Sequence, residues 1–345
     1  MKYRLLGRSG LRVSEICLGT MGFGEEWGYG ANKEESQKMF DLFLERGGNF
    51  IDTANRYTEG TSEKYLGDFI SEKRNSLVLA TKYSLYTQLG DSNDGGNHRK
   101  NMVHSVEGSL KRLNTNFIDV LFLHAWDFTT PVEEVMRSLD DLVRQGKVLY
   151  VAVSDTPAWI ISRANLLAEL RGWTPFIGLQ MEYNLLARTP ERDLIPMANE
   201  LGLGILAWGP IAGGALSGKY LTQGEGAGRL KTGSKRLDER AEKITREVLS
   251  IASESGCSAV HVALNWLRQQ QGNVIPVLGC RNAAQLADSL DCLQFSLTPE
   301  QMKKLTDLSA IELGFPHEFL ASDPIKKVIF GGMEDKIEIK NNNRI

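Results

Sequence analysis

Residues 120–155 read VLFLHAWDFTTPVEEVMRSLDDLVRQGKVLYVAVSD, a complete strand–helix–strand unit. Val120–Leu123 and Val148–Val153 are short, nearly unbroken apolar runs. Between them Val132, Val135, Met136, Leu139, Leu142 and Val143 recur at i, i+3, i+4, i+7, i+10 and i+11, the spacing of one helix face. Thr130 and Glu133 stand in capping-box spacing, Pro131 takes the first helical position and Gly146 follows the end, so a helix is predicted over 131–145. Continuous apolar strands joined by such helices belong to a parallel sheet that is buried on both faces.

The unit repeats along the chain. Further apolar runs occur at Ile16–Leu18, Phe50–Ile51, Leu77–Ala80, Phe176–Leu179, Ile205–Trp208 and Val274–Leu278, making eight with the two above. Eight βα units close into a (β/α)₈ barrel, whereas open doubly wound sheets usually have five or six strands. Ahead of the first unit, Arg4–Leu6 and Leu11–Val13 flank Gly7-Arg8-Ser9-Gly10, which predicts a hairpin able to plug the barrel bottom. The segment from Gly209 to about Arg240 is long and rich in Gly, Lys and Arg, the profile of a lid or binding loop. With no low-complexity linker, residues 1–345 are expected to form one barrel domain. The tail from Lys340 to Ile345 is expected to fray.

Forty Lys+Arg against 43 Asp+Glu leave a net charge of −3, without the basic surplus that a nucleic-acid or anionic-membrane partner requires. Cys17, Cys257, Cys280 and Cys292 lie far apart, with no metal-ligand spacing. They read as buried free thiols in a reducing, cytoplasmic setting. The N-terminus has no apolar signal core. The uncharged stretch from Leu201 to Gly218 is long enough to span a membrane, but Pro210 and six glycines would ruin such a helix.

Polar residues stand where the predicted strands end: Asp52, Lys82, His124, Ser154 with Asp155, and Gln180. In a (β/α)₈ barrel those ends open on one face, where active sites are built. A lysine there needs a carboxylate, and Asp52 is the nearest candidate. Tyr57 follows five residues after Asp52. Beside a lysine ammonium its phenolate is favoured and its pKa falls, which suits a proton donor. Trp27, Tyr29, Tyr86, Trp126 and Phe128 lie in loops at the same mouth and could line an apolar substrate pocket. His98, His104, His261 and His317 read as surface or packing residues.

From the hairpin to about Leu308 the chain resembles the aldo-keto reductases, and within them the branch of bacterial stress-related reductases and potassium-channel β subunits. The motifs that carry the resemblance are Leu18-Gly19-Thr20-Met21, Asn49-Phe50-Ile51-Asp52-Thr53-Ala54 with Tyr57, Ala80-Thr81-Lys82 and Asp119-Val120-Leu121-Phe122-Leu123-His124. Gln180-Met181-Glu182-Tyr183-Asn184 and Ile275-Pro276-Val277-Leu278-Gly279 complete them. The resemblance implies a (β/α)₈ barrel that binds NADP(H) and reduces a small carbonyl substrate, without a metal. It implies a catalytic tetrad of Asp52, Tyr57, Lys82 and His124. Gly19, Thr20, Met21 and Asp52 would border the cofactor, Ser154 and Gln180 would hold its carboxamide, and Trp208 would stack on the nicotinamide. Gly209, Pro210 and Ile211, the backbone on to Lys219, and Arg229 would hold the pyrophosphate. Gly279 and Arg281 would receive the 2′-phosphate at a helix N-terminus, with Gln285 and Asp288 at the adenine. Asp155 departs from the pattern: the family usually has Asn there, and an aspartate cannot donate to the carboxamide oxygen.

The alternative that the resemblance leaves open is an NADP(H)-sensing regulatory subunit with vestigial reductase activity. Two motifs mislead. Gly202-Leu203-Gly204-Ile205-Leu206-Ala207 fits G-x-G-x-x-A but leads into a strand, where a dinucleotide fingerprint follows one. Gly213 to Tyr220 nearly matches a P-loop but has Tyr220 where Mg²⁺ needs Ser or Thr.

Overall fold

The computed structural model describes residues 1–222, 230–231 and 233–337. Arg229 and the tail from Lys340 therefore lie outside the described residues. Strands β1 (Tyr3–Leu5) and β2 (Arg12–Ser14) pair antiparallel as the predicted hairpin. The remaining strands are β3 (Cys17–Gly19), β4 (Phe50–Asp52), β5 (Val78–Tyr83), β6 (Ile118–Leu123), β7 (Val148–Ser154), β8 (Phe176–Glu182), β9 (Gly204–Trp208) and β10 (Val274–Leu278). They close, all parallel, in the order β10-β3-β4-β5-β6-β7-β8-β9, a (β/α)₈ barrel with helices outside. Every predicted apolar run lies within one residue of, or overlaps, a barrel strand. Among the described residues no helix is long and apolar enough to cross a membrane.

Side chains alternate across a strand, and here the alternation sets the chemistry. Phe50, Ala80, Phe122, Ala152 and Leu206 belong to the cluster that fills the barrel interior. Two residues further along the same strands, on the same face, come Asp52, Lys82, His124, Ser154 and Trp208. Gln180 follows Gly178 in the same way, and a Cβ on Gly178 would stand 3.6 Å from that of Ala152. The apolar interior thus ends in a polar layer at the C-terminal mouth.

The hairpin seals the other end. Leu6 and Val13 are fully buried in the interior cluster, and Gly7 turns with φ +58 against the backbone of Ile177 and Gly202. The helix start predicted from Thr130, Pro131 and Glu133 is displaced by one residue. The helix runs Val132–Arg144 with Pro131 at its cap in extended conformation and no side-chain cap bond. Thr130, one residue before that cap, donates to Asp127, and Glu133 accepts from Arg163. The capping box that does form is at Thr298 and Gln301. All four cysteines are free, but only Cys17 and Cys292 are buried; Cys257 and Cys280 are partly exposed.

Candidate active site

Lys82 is the hub of the mouth. Its side chain is wholly buried, and its Nζ donates to Asp52 Oδ2 at 2.6 Å, to the Thr53 carbonyl at 2.9 Å and to Tyr57 Oη at 3.0 Å. The other oxygen of Asp52 accepts from Gln180 Nε2 at 2.9 Å. A buried ammonium surrounded by three oxygens is satisfied as a cation. Burial alone would lower its pKa, but Asp52 and Tyr57 outweigh that and raise it.

Tyr57 is held by the backbone that follows it. Thr58 and Glu59 both adopt the left-handed region, at φ 46 and φ 54, and the buried Thr58 hydroxyl donates to the Phe23 carbonyl at 2.6 Å. Strain of this kind persists only where its surroundings impose it. The Tyr57 ring meets the His124 ring edge-on at 5.8 Å and that of Trp27 at 6.5 Å. The expectation that its pKa falls is corrected: burial is the larger effect and raises it, while Lys82 pulls it down. The phenol is therefore protonated at neutral pH, the form that can give up a proton. Burial and the Lys82 charge drive the pKa of His124 well below its ordinary value, so the imidazole is neutral. Its Nδ1 is buried without a partner among the described residues.

Further round the mouth, Ser154 is buried and pairs in register with Gln180. Asp155 sits beyond it at the rim with φ +41, and its Oδ1 accepts from Trp208 Nε1 at 3.2 Å. A cavity of about 420 Å³ opens beside this pair, lined by Phe128, Pro157, Met181, Pro190 and Leu194. The start of the long loop is folded: a 3₁₀ turn Ala212–Ser217 leads into a short helix from Lys219, with Gly213 and Gly214 left-handed. A Cβ on Gly214 would stand 2.9 Å from Lys219 Nζ, and one on Gly213 3.3 Å from Arg236 Nη1. Pro210 is buried behind this turn and Gly209 accepts from Asn184.

Not every predicted site residue reaches the mouth with its polar atoms available. The Thr20 hydroxyl is fully buried and bonds the Asp52 carbonyl and Ser62, tying β3 to β4, while Gly19 packs against Val277 and Met21 is half-buried. Arg281 and Gln285 are exposed and bonded to each other, in the turn that Asn282 caps. Asp288 lies beside Ser258 and His261. Trp27 packs on Tyr29, Trp126 is half-buried, and Tyr86 is an exposed partner of Arg56, whose guanidinium lies 4.6 Å from its ring. Sequence reasoning missed Glu63, a fully buried carboxylate that bridges Thr81, next to Lys82, and Arg112, each at 2.6 Å. Its only signal was an acidic residue on the inner face of a helix.

The sequence profile of the Aldo/keto reductase family matches residues 15–310. Among curated proteins, the chain is 39% identical over 334 residues to a norsolorinic acid reductase of Aspergillus flavus, covering 93% of this chain and 84% of that one. It is 40% identical over 333 residues to an aryl-alcohol dehydrogenase [NADP(+)] of Phanerodontia chrysosporium, covering 89% and 86%.

Proposed function

Because the chain belongs to the aldo/keto reductase family and is an oxidoreductase acting on carbonyl and alcohol groups, we propose that it reduces aromatic aldehydes or ketones with NADPH, using Tyr57 as proton donor. The observation that carries this reading is the single contact set of Lys82, which joins the Asp52 carboxylate to the Tyr57 phenol. Aromatic substrates are suggested by the name of the aryl-alcohol dehydrogenase relative and by the rings of Trp27, Tyr57 and His124 that meet at the mouth.

The residues present fit a dinucleotide. The Gly213–Gly214 backbone, open to close approach and flanked by Lys219 and Arg236, suits a pyrophosphate. Trp208 offers an indole face, Ser154 and Gln180 offer polar groups for a carboxamide, and the exposed Arg281 is assigned to the 2′-phosphate. When bound, NADPH supplies the hydride for the carbonyl carbon. Tyr57 then gives its proton to the carbonyl oxygen as charge grows there, and Lys82 stabilises the resulting phenolate. Neutral His124 orients the carbonyl by hydrogen bonding to the same oxygen. Asp52 keeps the ammonium charged and fixed.

Tyr57→Phe keeps the ring contacts but removes the proton. Carbonyl reduction should fall by at least ~10², the usual contribution of a general acid, with NADPH affinity little changed. A near wild-type kcat in this variant would exclude Tyr57 as the donor.

A further inference from the structure

We infer that Asp155 is a specificity-determining residue that discriminates the redox state of the cofactor, its carboxylate favouring the cationic ring of NADP⁺ over the uncharged ring of NADPH. The inference rests on the nicotinamide reading above. Asp155 lies between Ser154, its chain neighbour, and Gln180, whose carbonyl accepts from the Asp155 N–H at 3.4 Å; these are the two residues assigned to the carboxamide. It also binds the indole of Trp208, assigned to the ring face.

The backbone explains why the charge is informative. At φ +41 a residue with a Cβ is strained, and Asn and Asp are the side chains that tolerate this region best. Asn would satisfy the turn equally, and its amide oxygen would accept from Trp208 equally. What Asp adds at this position is one negative charge. NADPH and NADP⁺ share their phosphates and adenine, so every contact elsewhere cancels in the ratio of their affinities, and a charge at the ring remains. On the enzyme it shifts carbonyl plus NADPH plus a proton towards alcohol plus NADP⁺, and slows release of NADP⁺.

Apo-protein is titrated with NADP⁺ and with NADPH, following binding by quenching of tryptophan fluorescence. In Asp155→Asn the ratio Kd(NADP⁺)/Kd(NADPH) should rise about three- to tenfold, the size expected of one unit charge a few ångströms away in a partly solvated site. Asp155→Glu keeps the charge beside the ring, so its ratio should stay nearer wild type than that of Asp155→Asn; a rise equal to that of Asp155→Asn would assign the effect to side-chain placement and overturn the inference. In wild type the ratio should also rise towards the Asn value as pH falls and the carboxyl protonates. Shielding by surrounding protein, with Glu182 adding, places that step above the ordinary carboxylate range, against the opposing Trp208 bond and Lys82. The other ionisable groups facing it are Tyr57, Lys82 and Glu182, the last paired with Arg236. An unchanged ratio in Asp155→Asn, with both cofactors still bound, would overturn the inference alone. If wild type bound neither cofactor, the nicotinamide reading would fall and the inference with it.

Discussion

Lys82 couples chemistry and stability in one buried atom. Replacing it with Met removes the only cation in contact with Asp52 and Tyr57 among the described residues. The phenol then loses the influence that lowers its pKa, so residual activity should move to higher pH as its rate falls. Asp52, 2% exposed, is left as an unpaired buried carboxylate, a loss of roughly 3–5 kcal/mol. Denaturant unfolding and a pH–rate profile of Lys82→Met check both halves; an unshifted profile would separate Lys82 from the proton donor. The pair was legible in the sequence because both residues end strands with the same inward parity. The Thr53 carbonyl and the Gln180 contact to Asp52 were not, since they depend on how the β4 and β8 ends are brought together across the mouth.

The strands and their connections obey the same local rules, with one difference in reach. Apolar runs and turn residues act within a few positions of themselves, and the eight strands and the hairpin formed where those signals stood. The Thr130 box failed because the helix begins one residue later, with Pro131 at the cap, and Thr130 directs both its N–H and its hydroxyl to Asp127 in the preceding loop. The hairpin offers a direct test of element packing. A Cβ on Gly7 would stand 2.1 Å from the Ile177 carbonyl oxygen in a left-handed turn, whereas one on Gly10 meets nothing within 4 Å. Gly7→Ala should cost roughly 2–4 kcal/mol, strain and overpacking together, and Gly10→Ala should be near neutral. Thermal melts of the two variants check this; equal melting points would mean the plug contributes little to closing the barrel.

The molecule as a whole is tied by contacts between distant parts of the chain. Arg4 bonds Asn273, Arg8 bonds the Glu200 carbonyl, and Glu15 pairs with Arg268 at 2.8 Å, fastening the hairpin to late elements of the barrel. Stability should fall with acid in two stages. Burial holds the His124 pKa below its unfolded value near 6.5, so the unfolded chain takes up a proton first. That stabilisation is present above about pH 6.5 and lost below it, at up to about 1.4 kcal/mol per pH unit. Glu15 and Asp140 follow at lower pH. Burial alone would raise both, but Arg268 and Arg144 hold them below the ordinary carboxylate range, and their contribution is lost as pH falls through those depressed values. Melting temperatures of wild type and His124→Gln at pH 7 and 5.5 should diverge, with the variant losing less; parallel losses would show that His124 does not govern the first stage. Periodicity, turn residues and strand-end polarity are local properties, so the barrel, its plugged end and the face that carries the chemistry are legible in the chain alone. Tertiary structure alone decided which hydroxyls and carboxylates were consumed by packing, as at Thr20 and Glu63, and in which direction the Tyr57 pKa moves. Burial and partner distance are sums over neighbours far apart in the chain, and no local pattern encodes such sums.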